Sequence, residues 1–183
     1  MSVVKELQKV VVKPLLITAD NFKLFGQVIA ATDDGKLFDQ TDAQLVLDQG
    51  TPRLYIMRLP KRGGRTFDRI TYHGRVTQCL GAMTRETWYL AVAAPTLSLD
   101  KPPKPEDIHA FRIPFGTHIK LHIGTWHAGP LFDEADHMDF INLELADTNV
   151  ADHQTHKFAD KDGLTFEVER EAASVADMLD IST

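Results

Sequence analysis

A chain of 183 residues, 43% hydrophobic and 25% charged, has the size and apolar content of one globular domain spanning 1–183. Its net charge of −6 argues against a nucleic-acid or anionic-membrane partner, which Lys and Arg would have to hold. The single cysteine, Cys79, excludes an internal disulfide and, within its apolar run, reads as a small buried hydrophobe.

At the N-terminus, Lys5, Glu6, Lys9 and Lys13 interrupt the apolar residues, so neither a secretory signal nor a membrane span is expected, and the expected location is cytoplasmic. Thr18–Phe25 predicts a short helix, with Thr18 as N-cap, Asp20 in the positive first turn and Gly26 closing it in the left-handed conformation. Thr41–Leu47 fits helix or strand. Strands are expected at Arg53–Leu59, Thr66–His73, Val76–Met83 and Trp88–Ala93, the last a continuous apolar run suited to cover on both faces. Residues 96–107 form a proline-rich loop. Further strands follow at Phe111–Ile113, Thr117–Ile123 and Met138–Leu145. Residues 147–163 read as a polar connection, and Glu169–Leu179 as a C-terminal helix. At least seven short strands with Gly/Pro turns predict a mainly β sandwich or barrel, with alternate side chains filling the interior or lining a pocket.

Polar residues inside these strands are informative, because burying a neutral polar group unpaired costs roughly 2–7 kcal/mol, and a charge more. They are Arg69, His73, Gln78, Lys120, His122, Asn142 and Glu144. In Thr117–Ile123 the face with Ile119, Leu121 and Ile123 is the more apolar; a polar ligand cavity would instead turn Lys120 and His122 inward. In KLHIGTWHAGPLF (120–132), Gly124 argues for a turn between His122 and His127. The two rings suit either acid–base work near neutral pH or turn packing. Trp126 suits core packing or a ligand platform. No Cys/His zinc spacing, phosphate loop or nucleophile elbow occurs, so no cofactor is expected; a divalent metal on His73, His122 and His127 is the alternative.

Three stretches, ITYHGRVTQCLGAM (70–83), PFGTHIKLHIGTWHAGPLF (114–132) and MDFINLELADTN (138–149), resemble the ureidoglycolate lyase family. The resemblance covers about residues 14–150 and leaves 151–183 as an extension. It implies a cupin-like double-stranded β-helix, a jelly-roll type β-barrel with short terminal helices. It also implies a carbon–nitrogen lyase that splits ureidoglycolate into glyoxylate and urea in allantoin (purine) breakdown. In that reading His73, His122 and His127 supply base and acid. Lys120 or Arg69 holds the carboxylate, Gln78 and Asn142 bind the ureido group, and Trp126 lines the site. The partner is a small-molecule substrate, and a homodimer is expected. Two alternatives stand beside it: another cupin-type enzyme, metal-dependent, acting on a small carboxylate or sugar, and a non-catalytic small-molecule-binding domain.

Overall fold

The computed structural model describes residues 6–170. The chain begins with β1 (Gln8–Val12), β2 (Pro14–Leu16), α1 (Ala19–Phe22), β3 (Gly26–Ile29) and β4 (Pro52–Pro60). It continues with β5 (Thr66–Phe67), β6 (Arg69–Tyr72), β7 (Gln78–Ala82) and β8 (Trp88–Ala93), then a 3-10 turn at Pro105–Asp107. Next come β9 (His109–Ile113), β10 (His118–Leu121), β11 (Trp126–Leu131) and β12 (His137–Leu145). It ends with α2 (Thr148–Ala151), β13 (Gln154–Lys157), α3 (Phe158–Lys161) and β14 (Leu164–Val168). The protein is mainly β, and among the described residues no helix is long and apolar enough to cross a membrane.

The strands form three sheets: β3-β10-β7-β12-β4, β13-β6-β11-β8-β9-β2 and β1-β14-β5. They stack as layers with the six-stranded sheet in the middle. Its Trp88, Leu90, Val92, Phe111 and Ile113 meet Leu80, Ile119, Leu121, Met138 and Phe140 of the five-stranded sheet in a first core. Its Tyr89, Ala91, Ala93 and Trp126 meet Phe67, Phe166 and Val168 of the three-stranded sheet, with Phe158 of α3, in a second. This is why WYLAVA lacks polar alternation: all six residues are buried, three toward each core.

Several expectations change in detail. Thr66–His73 is two strands rather than one. Phe67 pairs with Phe166 in the small sheet, whereas Arg69–Tyr72 pairs with β13 in the middle one, and the chain changes sheet at Asp68. Thr41–Leu47 is neither helix nor strand. It is an irregular strap held by bonds from Gln44 N to Gln27 Oε1 (2.9 Å) and from Val46 N to Thr77 Oγ1 (2.9 Å). The polar connection 147–163 contains α2, β13 and α3. The expected C-terminal helix at 169–179 lies, from residue 171 on, outside the described residues.

Helix α1 is capped as expected: Thr18 Oγ1 accepts from Asn21 N at 3.2 Å and Thr18 N donates back to Asn21 Oδ1 at 2.8 Å. Gly26, however, does not close it with a positive φ; it opens β3. Its constraint is a close approach to β10, since a Cβ there would lie 2.0 Å from the Lys120 backbone oxygen. Gly26→Ala is therefore expected to destabilise by ~3 kcal/mol or more, the upper end of overpacking costs. Gly35, with φ +86 and nothing within 4 Å of an added Cβ, should lose only about 1–2 kcal/mol on the same change. Urea denaturation of the two variants measures the contrast.

Candidate functional site

The first core turns polar at one end. On the five-stranded wall, Asn142 stands opposite Leu80 and opposite Tyr55, so Gln78, Asn142, Glu144 and Tyr55 share the inner face. They form a connected chain. Asn142 Nδ2 donates to Tyr55 Oη at 3.0 Å, and Tyr55 O–H donates to Glu144 Oε1 at 3.0 Å. Gln78 Nε2 donates to Glu144 Oε2 at 2.9 Å. The carboxylate accepts from both sides and thereby fixes which way the neighbouring amides point. Among the described residues, both amide oxygens, Gln78 Oε1 and Asn142 Oδ1, are buried without a partner. Burial, followed by the Glu144 charge, pushes the Tyr55 phenol above its ordinary pKa.

On the six-stranded wall, His127 sits opposite Val92 and Thr71, on the face of the first core, and His73 follows β6. The two imidazoles lie 5.0 Å apart between centroids, and His153 lies 5.8 Å from His73. His73 Nδ1–H donates to the Asp152 backbone oxygen, and His127 Nδ1–H donates to the Thr125 oxygen at 3.1 Å. A carbonyl only accepts, so these bonds fix both tautomers and leave each Nε2 as the acceptor. Burial holds both rings below the ordinary imidazole pKa. His127, also beside His73, falls to about 3, while the Asp152 and Glu144 carboxylates partly offset the effect at His73. That Glu144 acts on His73 places the two walls at one end.

Some of the residues around this end were not among those singled out from the sequence. Asp152, in the presumed extension, accepts from Gly74 N at 2.7 Å and Arg75 N at 2.8 Å, holding the turn that follows His73. Arg53 pairs in register with Glu144, on the same face of β4 as Tyr55, and its guanidinium carbon lies 3.7 Å from the Tyr55 ring centroid. It is exposed, at the rim of the polar end. Inner-face alternation in RLYIM could have pointed to Arg53 and Tyr55, had the orientation of β4 been known.

The structure does not bring the other expected site residues here. Arg69 is exposed and bonded to its neighbour Asp68 at 2.8 Å. Trp126 faces the second core, edge-on to Tyr72 at 4.6 Å. Lys120 pairs with Cys79 and Gln27, so its side chain leaves the opposite face of the five-stranded sheet from Gln78 and Asn142. The apolar face with Ile119 and Leu121 won the interior, as hydrophobicity favours. Lys120 is nevertheless buried, beneath the strap at 40–46. Its Nζ donates to His122 Nδ1 at 2.9 Å, and His122 Nε2–H donates to the Lys23 oxygen at 3.2 Å. Both nitrogens of His122 are thus engaged, and burial together with the Lys120 charge lowers its pKa. Among the described residues, no group of three or more His, Cys, Asp or Glu is arranged to hold a metal ion.

The protein is thus mainly β and layered, with buried histidines on one wall of the first core and a buried amide–carboxylate chain on the other. The chain belongs to the ureidoglycolate lyase family, whose model, described as ureidoglycolate lyase, matches residues 8–165. That span takes in β13 and reaches β14. Comparison with curated proteins gives no match. Among solved structures, procruciferin, an 11S globulin from Brassica napus, aligns with a TM-score of 0.37 at 7% identity, over 74% of this chain and 27% of that one. The chain therefore spans about a quarter of that protein's length.

The low pKa of His127 has a measurable consequence. Between pH 6.5 and about 3 the unfolded chain binds a proton at this residue that the fold does not accept. Stability must then fall as pH drops through that window. The melting temperature is expected to decrease with acidification below pH 6.5, and His127→Gln is expected to flatten the decrease.

Proposed function

We propose that the two larger sheets form the walls of a cupin-like β-barrel and that its polar end splits ureidoglycolate into glyoxylate and urea, a step of allantoin breakdown. The observation that carries the reading is the pair of buried amide oxygens, Gln78 Oε1 and Asn142 Oδ1, without a partner among the described residues, together with two buried imidazoles whose Nδ1–H is committed to backbone and whose Nε2 is left to accept. A ureido group presents N–H donors, and acceptors held this way match it without reorganisation. Membership of the family supports the same substrate.

The substrate carries a hydroxyl and a ureido nitrogen on one carbon beside a carboxylate. His73 Nε2 takes the hydroxyl proton, the oxygen's electrons form the aldehyde C=O, and the C–N bond breaks. The same imidazolium then returns the proton to the departing nitrogen, so urea leaves neutral and the base is regenerated. His73 suits this better than His127, because a base with a pKa of about 3 binds a proton too weakly near neutrality. The Glu144 and Asp152 carboxylates, which favour the charged form of His73, help it hold the proton in transit. Arg53, at the rim on the Tyr55 ring, meets the substrate carboxylate.

Incubation of the purified protein with ureidoglycolate, with urea and glyoxylate measured separately, tests the activity; equal amounts of both are expected. His73→Ala should lower kcat/KM by about 10²-fold or more, the scale of general acid–base catalysis. A folded His73→Ala protein with undiminished turnover would remove His73 as the base. Arg53→Ala should act mainly on KM, since it removes a binding contact remote from the bond that breaks. On the acid side, kcat/KM should fall only below pH 6.5, because burial holds His73 under that value.

A further inference from the structure

A second site lies on the outer face of the five-stranded sheet. There, a cavity of about 540 Å³ opens between the ends of β3, β7 and β10 and the strap at 40–46. Its lining includes Lys23, Gln40, Gln44, Val46, Lys120 and Ile123, and among the described residues no Asp or Glu. The volume falls within the range of small-molecule sites, roughly 300–1,000 Å³.

Lys120 is what makes this more than a surface recess. It is 2% exposed, and among the described residues its ammonium has one side-chain partner, the Nδ1 of His122 at 2.9 Å. An ammonium carries three donors, so two remain. His122 cannot neutralise it: its Nδ1 is the acceptor and its Nε2–H is spent on the Lys23 oxygen. The cross-strand neighbour Cys79 supplies no counter-charge, since burial pushes that thiol up to about 11. Burial lowers the Lys120 pKa, because taking a cation out of water without a carboxylate beside it is costly; an anion bound from solution would offset that cost and hold the ammonium charged. The strap that covers the ammonium is itself pinned, by Gln27 Nε2 to the Asp42 oxygen at 3.1 Å and by Gln44 N to Gln27 Oε1 at 2.9 Å.

We propose that this cavity binds a small aliphatic monocarboxylate, its carboxylate on the Lys120 ammonium and its carbon chain against Val46 and Ile123. One buried positive charge matches one negative charge; a phosphate dianion would leave its second charge to exposed Lys23. The sheet separates this site from the polar interior end, so the proposal stands apart from the lyase reading.

Titration of isotope-labelled protein with sodium propionate, followed by amide NMR, tests it. Shifts are expected at Gln44, Thr77, Lys120 and His122, with Asn142 and His127 unmoved. By calorimetry, Lys120→Met should weaken propionate binding at least tenfold. Shifts confined to the interior end, no saturable shift at all, tighter binding of inorganic phosphate, or unchanged affinity in Lys120→Met would each overturn it. If Lys120→Met does not fold, the wild-type shift map and the phosphate comparison alone decide.

Discussion

Burial of the six-stranded sheet on both faces is the constraint on which the rest depends. A sheet with one wet face can alternate apolar and polar residues, but β8 has no wet face and must be apolar throughout. Its two faces then demand two cores, and so a sheet on either side. The five-stranded sheet closes the larger core, and β1, β14 and β5 close the smaller. Trp126 and His127 are adjacent in β11 and face opposite cores for this reason alone: one packs on Tyr72, the other turns to His73.

Where the first core meets its polar end, the chemistry is organised by satisfaction of hydrogen bonds. Glu144 is 1% exposed, and it accepts from Gln78 and, through Tyr55, orders Asn142. Once the amide N–H groups are committed to that chain, their oxygens have no partner left among the described residues. The histidine wall follows the same logic with the opposite polarity, because backbone carbonyls of Asp152 and Thr125 hold the Nδ1 protons and leave each Nε2 as the acceptor. Structural bonds thus define the functional face of each group.

Much of the strand content was legible in the sequence, because apolar alternation and Gly/Pro punctuation report directly on burial. The runs at 53–59, 88–93 and 138–145 correspond to β4, β8 and β12 within one residue at either end. Strands β1, β2, β3, β13 and β14 were not legible, being short, exposed in part and held by pairing with distant segments such as β1 with β14, nor was β11, whose Gly and Pro residues read as a turn. His73, Gln78 and Asn142 were identifiable as polar residues in strand contexts and His127 as a histidine past a turn; Gln78 and Asn142 lie on the inner face of the five-stranded sheet, and His73 and His127 lie 5.0 Å apart. Arg69, Lys120 and His122 carry the same signature in the sequence and go elsewhere, and Trp126 goes to the second core.

The sequence by itself determined a mainly β chain, its principal strands, a short helix capped by Thr18 and the polar residues that needed an explanation. Its short motifs also carried the family resemblance that the match over 8–165 bears out. Only the tertiary structure decided which face of β10 is inside, that Asp152 holds the turn after His73, and that Arg53 stands at the rim. The physical reason is that a two-residue period names the members of each face but not its direction. Direction depends on the total apolar area each face can bury against other strands, and those strands are far away in the chain.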